Sequence, residues 1–144
     1  MILLDIETEK KKKEIGQKGE KIVLDYLEKN KKILNIKNIY NWCFGINQDD
    51  SKGYDFSYTT NDDKEFFVEV KTTIKTLKDN IVFEMSKKEF SVMNENRNKY
   101  FIYFISDVNN EKSITIKRIS SIEIGNGIPS NYTFNLKKIN NKNT

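Results

Sequence analysis

Residues 65–72 read EFFVEVKT, an apolar, strand-like run that carries a glutamate and a lysine two positions apart. A strand alternates its faces, so Phe66, Val68 and Val70 share one side while Phe67, Glu69 and Lys71 share the other. Two charges therefore project together from a segment that composition would bury. Just upstream, GYDFSY (53–58) alternates Tyr54, Phe56 and Tyr58 on one face with Asp55 and Ser57 on the other. Between these runs, TTNDDK (59–64) reads as a hairpin turn. Two adjacent antiparallel strands thus carry Asp55, Glu69 and Lys71.

Outward from this hairpin, the stretch from Glu14 to about Lys32 has helical spacing, with Ile15, Ile22, Val23, Tyr26 and Leu27 forming an apolar stripe. On that helix Glu20 falls between Gly16, Val23, Leu24 and Leu27, so its carboxylate borders the face meant for the core. Gly16 and Gly19 weaken a helix, which implies that something packs closely against that turn. NIKNIYNWCFGI (35–46) reads as a strand or extended arm leading to a polar turn at Asn47–Lys52. After a lysine-rich loop, IVFEM (81–85) suggests a third strand, and Ser86 with Glu89 makes the capping-box pattern of a helix over 86–97. KYFIYFISDV (99–108) is apolar enough to be central in a sheet. SITIKRI (113–119) and YTFNL (132–136) add strand near an edge, and Pro129 falls in a turn. The order of elements predicts an α/β (α+β) fold, a mixed β-sheet flanked by helices. We read residues 1–144 as a single domain with its core at about 14–120, the segment 1–13 and the tail 137–144 being peripheral.

Composition narrows the function classes. An apolar fraction of 37% is modest, but nine Phe, seven Tyr and one Trp supply large surfaces for a core. Cys43 is the single cysteine and histidine is absent, so an intramolecular disulfide, a histidine zinc site and a histidine-based triad are excluded. MILLDIETEKKKKE places a short apolar patch ahead of its charges, the reverse of a signal peptide. No apolar run approaches the ~20 residues of a membrane helix. A reducing cytoplasm and no membrane partner are the expectation. The net charge of +4 suits a polyanion, yet only Arg97 and Arg118 of the 25 basic residues are arginines. Charge alone therefore says little about nucleic acid.

Asp55 and Glu69 at facing ends of paired strands, Lys71 beyond Glu69, and Glu20 on the neighbouring helix fit one chemical scheme. Hard cations such as Mg²⁺ take oxygen ligands and are held by one or two carboxylates with water and phosphate oxygens. Asp55 and Glu69 offer such carboxylates, and the Val70 carbonyl adds a main-chain ligand. A bound ion lowers the pKa of a water and neutralises phosphate charge, while a lysine beside it positions that water or counters developing charge.

GYD, 13 intervening residues and EVK resemble the D-x(n)-(D/E)-x-K signature of the PD-(D/E)xK nuclease superfamily, which includes restriction endonucleases and Holliday junction resolvases. More narrowly, IGQKGE, GYDFSY, FVEVKTT, FEMSKKEF and KYFIYFI, in that order over roughly residues 14–106, look like the nuclease-like domain at the C-terminus of the plant protein NO VEIN and in many bacterial proteins. The resemblance implies a restriction endonuclease-like core. It implies Asp55 and Glu69 as metal ligands, Lys71 as the catalytic lysine, and Glu20 as the helix glutamate that completes the site in several branches. One departure is Gly53-Tyr54, where the superfamily's name has a proline before the aspartate.

The implied activity is a Mg²⁺-dependent DNA endonuclease, with Mn²⁺ as a substitute ion, serving prokaryotic defence (restriction) or DNA processing. Double-stranded DNA is the expected partner, with a homodimer or a helicase or ATPase supplying the targeting that no helix-turn-helix provides. Lys75, Lys78, Lys87 and Lys88 border the site as candidates for phosphate contacts. Plainer readings stand beside these. An E-x-K in a strand also suits a structural ion pair, Glu20 also suits a bond to a backbone end or a lysine, and Ser86 with Glu89 reads as a cap. Trp42 reads as a core anchor, and the run Lys10–Lys13 as a solvated helix entrance. A non-catalytic binding module with a nuclease-like fold and an RNase effector are the alternatives.

Overall fold

The computed structural model describes residues 2–77, 80–124 and 133–137. Helix α1 (Ile2–Lys29) is followed by β1 (Ile36–Asn41), a 3₁₀ turn (Asp50–Lys52), β2 (Phe56–Thr60), β3 (Glu65–Thr72) and β4 (Asn80–Glu84). Helix α2 (Lys87–Glu95), β5 (Tyr100–Ser106), β6 (Thr115–Ser120), the short α3 (Ser121–Ile124) and β7 (Thr133–Lys137) complete the order. Five strands form one mixed sheet in the order β1-β2-β3-β5-β6. All its pairings are antiparallel except β3 with β5. The expected mixed sheet flanked by helices is what the chain forms.

Each face of the sheet carries its own core. Val23 and Leu27 of α1 pack with Phe56, Tyr58, Val68, Val70, Tyr103 and Ile105 on one face. Phe90 and Met93 of α2, with Ile81, Phe83 and Met85 of the β4 segment, pack with Phe67, Tyr100, Ile102 and Phe104 on the other. Fully buried side chains such as Leu27 and Ile102 each contribute about 1.5–3 kcal/mol. Burial on both faces explains why YFIYFIS of β5 reads as a near-continuous apolar run.

Local chemistry fixes the corners. The β2–β3 hairpin turns where Asp63 takes a left-handed φ of 62°, a conformation aspartate tolerates better than most side chains. Thr60 Oγ1 donates to Asp62 Oδ1 at 2.5 Å inside that turn. Ser86 caps α2 in a full capping box with Glu89, as the sequence predicts. Gly53, at φ 79°, ends the 3₁₀ turn, and the buried Tyr100 hydroxyl donates to its carbonyl at 2.7 Å.

Several expectations need correction. The first helix does not begin near Glu14 but runs from Ile2, and it stops at Lys29. Its lysine- and glutamate-rich start consists of good helix formers, including the i,i+3 pair Glu9–Lys12 at 3.7 Å. The strand expected over 35–46 ends at Asn41, because the Asn41 Oδ1 accepts the Cys43 and Phe44 amides and turns the chain. IVFEM forms the expected strand, but outside the main sheet: β4 pairs with β7 in a separate two-stranded antiparallel sheet. Residue 137, expected in the tail, belongs to β7. Tyr54 does not share a face with Phe56; it lies before β2 and packs on Phe67 at 4.7 Å between ring centroids. Pro129 and residues 138–144 lie outside the described residues.

Candidate active site

The β2–β3 ladder stops at the pair Phe56–Val68, while β3 continues to Thr72 beside β5. A one-sided gap therefore opens in the sheet plane at Val70. Phe67 donates its amide to Lys99 and Thr73 donates to Ile105, so odd-numbered residues of β3 turn their backbone groups toward β5. Even-numbered Val70 must turn its N–H and C=O into the gap. Asp55 closes the gap from the other side: its Oδ2 accepts the Val70 amide at 2.8 Å. Its own amide donates to the Val68 carbonyl at 2.8 Å, and its carbonyl accepts the Trp42 amide at 2.9 Å. Continuing the ladder register places Asp55 opposite Glu69, as the hairpin reading requires.

Lys71 is held by two carboxylates. Its Nζ lies 2.8 Å from Glu89 Oε1 and 3.2 Å from Glu69 Oε2. An ammonium has three N–H bonds, so one remains beyond these two. Burial pulls the Lys71 pKa down, but the charges of Glu69 and Glu89 outweigh it and leave the pKa raised. Glu69 is 6% exposed; burial and then the Asp55 charge push its pKa well up, with Lys71 opposing.

From the opposite face, α1 brings Glu20 to the same gap. Carboxylate oxygens of Glu20 and Asp55 and the Cys43 Sγ all lie within 4.8 Å of one another. Burial, followed by repulsion from Asp55 and Asp50, raises Glu20 to about 7. Burial likewise raises Asp55 to about 6, against the lowering effect of hydrogen bonds from the Val70 amide and Glu69. Cys43 is pushed up as well, by burial and then by Asp55 and Glu20. Two carboxylates held close in a partly desolvated pocket make a charge-poor site that a cation would relieve. With the Val70 carbonyl turned toward them, these oxygens suit a hard divalent ion.

A cleft of about 280 Å³ leads to this point, lined by Lys12, Gly16, Glu20, Val70, Lys71 and Thr72 among others. The structure thus brings together Glu20, Asp55, Glu69, Val70 and Lys71. Glu69 does not enter the close group of Glu20, Cys43 and Asp55; its carboxylate is turned to Lys71. Of the proposed phosphate-contacting lysines, Lys87 and Lys88 are exposed at the start of α2, next to Glu89, and Lys75 is exposed after β3. Lys78 lies outside the described residues. Trp42, expected as a core anchor, is half-buried, its indole N–H donating to Ser57 Oγ at 2.9 Å and Lys52 Nζ lying 4.5 Å from its ring centroid.

Three residues at the site escape the sequence reading. Glu89 acts as a cap and as a partner of Lys71 at once, a double use that its capping pattern hides. Cys43 lies 12 residues before Asp55 in an irregular turn, where no periodicity signals its direction. Lys12 is exposed, as a solvated helix entrance requires, and also lines the cleft; the helix's true start at Ile2 puts it one turn before Gly16.

The family model described as "Protein NO VEIN, C-terminal" matches residues 19–119. This chain belongs to that family. The NO VEIN C-terminal match covers Glu20, Cys43, Asp55, Glu69, Lys71 and Glu89, hence every carboxylate and the lysine of the site. No curated protein and no solved structure matches the chain.

Proposed function

We propose that this NO VEIN C-terminal family domain is a metal-dependent endonuclease of the PD-(D/E)xK type, hydrolysing DNA phosphodiesters in defence or DNA processing. The observation that carries the reading is the gap at Val70, where Asp55, Glu20, a main-chain carbonyl and a carboxylate-held lysine converge. Asp55, Glu69, Glu20 and the Val70 carbonyl would hold Mg²⁺, or Mn²⁺ in its place. When bound, that ion supplies charge neutralisation at the phosphate and a lower pKa for the attacking water.

The chain's own residues do the rest. Glu69 and Glu89 hold the Lys71 ammonium in place, and its remaining N–H would be available to substrate or water. A lysine so fixed stabilises charge that grows on the phosphate oxygens as water attacks. Water adds to phosphorus, the P–O3′ bond breaks, and the water proton ends on the departing 3′ oxygen, leaving a 5′-phosphate. Asp55, held in the gap by the Val70 amide, would offer its carboxylate to the ion. Exposed Lys87, Lys88 and Lys75 add sequence-independent, salt-sensitive affinity. Double-stranded DNA is the expected substrate, and dimerisation or a helicase or ATPase partner would supply targeting.

A second reading is favoured by the burial of Glu69 against Lys71, which also suits a structural ion pair in a non-catalytic binding module. Incubating the protein with duplex DNA and with RNA, in Mg²⁺ or Mn²⁺ beside EDTA, separates the cases. DNA cleavage that leaves 5′-phosphate ends and stops in EDTA supports the nuclease. RNA cleavage alone selects the RNase effector, and DNA binding without cleavage, unchanged in Lys71→Ala, selects the module.

A further inference from the structure

Two glycines interrupt α1 near Glu20, and the fold needs only one of them. A Cβ on Gly19 would fall 1.9 Å from Thr72 Oγ1, so the helix can lie on β3 only if position 19 has no side chain. A Cβ on Gly16 would meet nothing within 4 Å. Helix packing therefore gives no reason for glycine at 16, and inside a helix glycine is worse than alanine. Its position supplies another reason. Gly16 lies on the wall of the cleft, one turn after Lys12 and one turn before Glu20, facing Lys71 and Thr72 across the opening. A bare stretch of helix between a cation and the carboxylate site is where a strand's backbone can approach most closely.

We infer that Gly16 is the seat on which the sugar-phosphate backbone of a bound nucleic-acid strand rests, with Lys12 taking a neighbouring phosphate while the scissile one reaches Glu20 and Lys71. The inference rests on the nuclease reading of this site. It makes Gly16 a positioning residue, and it gives position 16 opposite demands in the free and the bound protein.

The test uses the full chain with Gly16→Ala and Gly16→Leu, and with Gln17→Leu on the exposed neighbouring position as control. Thermal unfolding without DNA, Mg²⁺ binding by calorimetry and anisotropy of a fluorescent duplex in Ca²⁺ are measured for each, followed by cleavage in Mg²⁺. Gly16→Ala is expected to melt higher than wild type and bind Mg²⁺ unchanged, yet bind duplex about tenfold more weakly. Gly16→Leu should lose more, and Gln17→Leu should match wild type. If wild type cleaves and Gly16→Leu binds and cleaves as well, the seat is overturned while the nuclease stands. If wild type neither binds nor cleaves, the nuclease reading falls and the seat with it.

Discussion

Lys71 Nζ stands 2.8 Å from Glu89 Oε1, joining the strand that carries the E-x-K pattern to the first turn of the following helix. The same carboxylate oxygen accepts the Ser86 amide at 3.1 Å, so one glutamate both caps a helix and holds a lysine. A glutamine can keep the cap but not the charge. Glu89→Gln should therefore lose only the ion pair, whereas Glu89→Ala loses ion pair and cap together and should unfold at lower urea. Equal losses in the two variants would mean that the cap is not what Glu89 contributes to stability.

The charge of Glu89 also sets Lys71. Because Glu69 and Glu89 together hold the Lys71 pKa above its ordinary value against burial, removing one carboxylate must lower it. The alkaline limb of a cleavage profile should then move to lower pH in Glu89→Gln. A limb that stays in place would detach Lys71 from the reaction.

Raised carboxylates give the metal-free protein a definite pH dependence. Glu20 at about 7 and Asp55 at about 6 bind protons more tightly folded than unfolded. A folded state that holds more protons loses stability as pH rises, so these groups weaken the metal-free fold from about pH 4.5 up through pH 7. Melting temperatures in EDTA should fall over that range, and Glu20→Gln should flatten the fall. Because an ion needs these ligands deprotonated, stabilisation by Mg²⁺ should grow from pH 6 to pH 8. The opposite trend would remove Glu20 and Asp55 from the binding site.

Gly19 tests the packing of α1 on the sheet. A methyl group there meets Thr72 Oγ1 at 1.9 Å, and forced overpacking costs about 1–3 kcal/mol. Gly19→Ala should unfold at correspondingly lower urea, in contrast to Gly16→Ala. Similar behaviour of the two would contradict the close contact of α1 with β3.

Asp55, Glu69 and Lys71 were legible because a hairpin converts sequence spacing into opposition: with the turn at 59–64, the register follows, and alternation does the rest. Glu20 was legible from helical phase, although the true start of α1 was not, since residues 2–13 join a short apolar patch to a charged run without a continuous apolar stripe. What could not be read is tertiary. IVFEM has the composition of any half-buried strand, and only its pairing with β7 takes it out of the main sheet. The ion pair of Glu69 with Lys71 at 3.2 Å, formed two positions apart on one strand face, is likewise a side-chain choice that alternation alone leaves open. Periodicity fixes which face a residue takes; it does not fix which partner meets it there.

A reaction centre at the Val70 gap makes its most direct demand on DNA cleavage. The deciding measurement is the rate of supercoiled plasmid nicking in Mg²⁺ by wild type, Asp55→Asn and Lys71→Ala, each verified as folded and each repeated in EDTA. Catalysis by this site predicts nicking by wild type that EDTA abolishes and that each substitution slows by about 10²-fold or more. Nicking at the wild-type rate by folded Asp55→Asn and Lys71→Ala, or none by wild type, would contradict it.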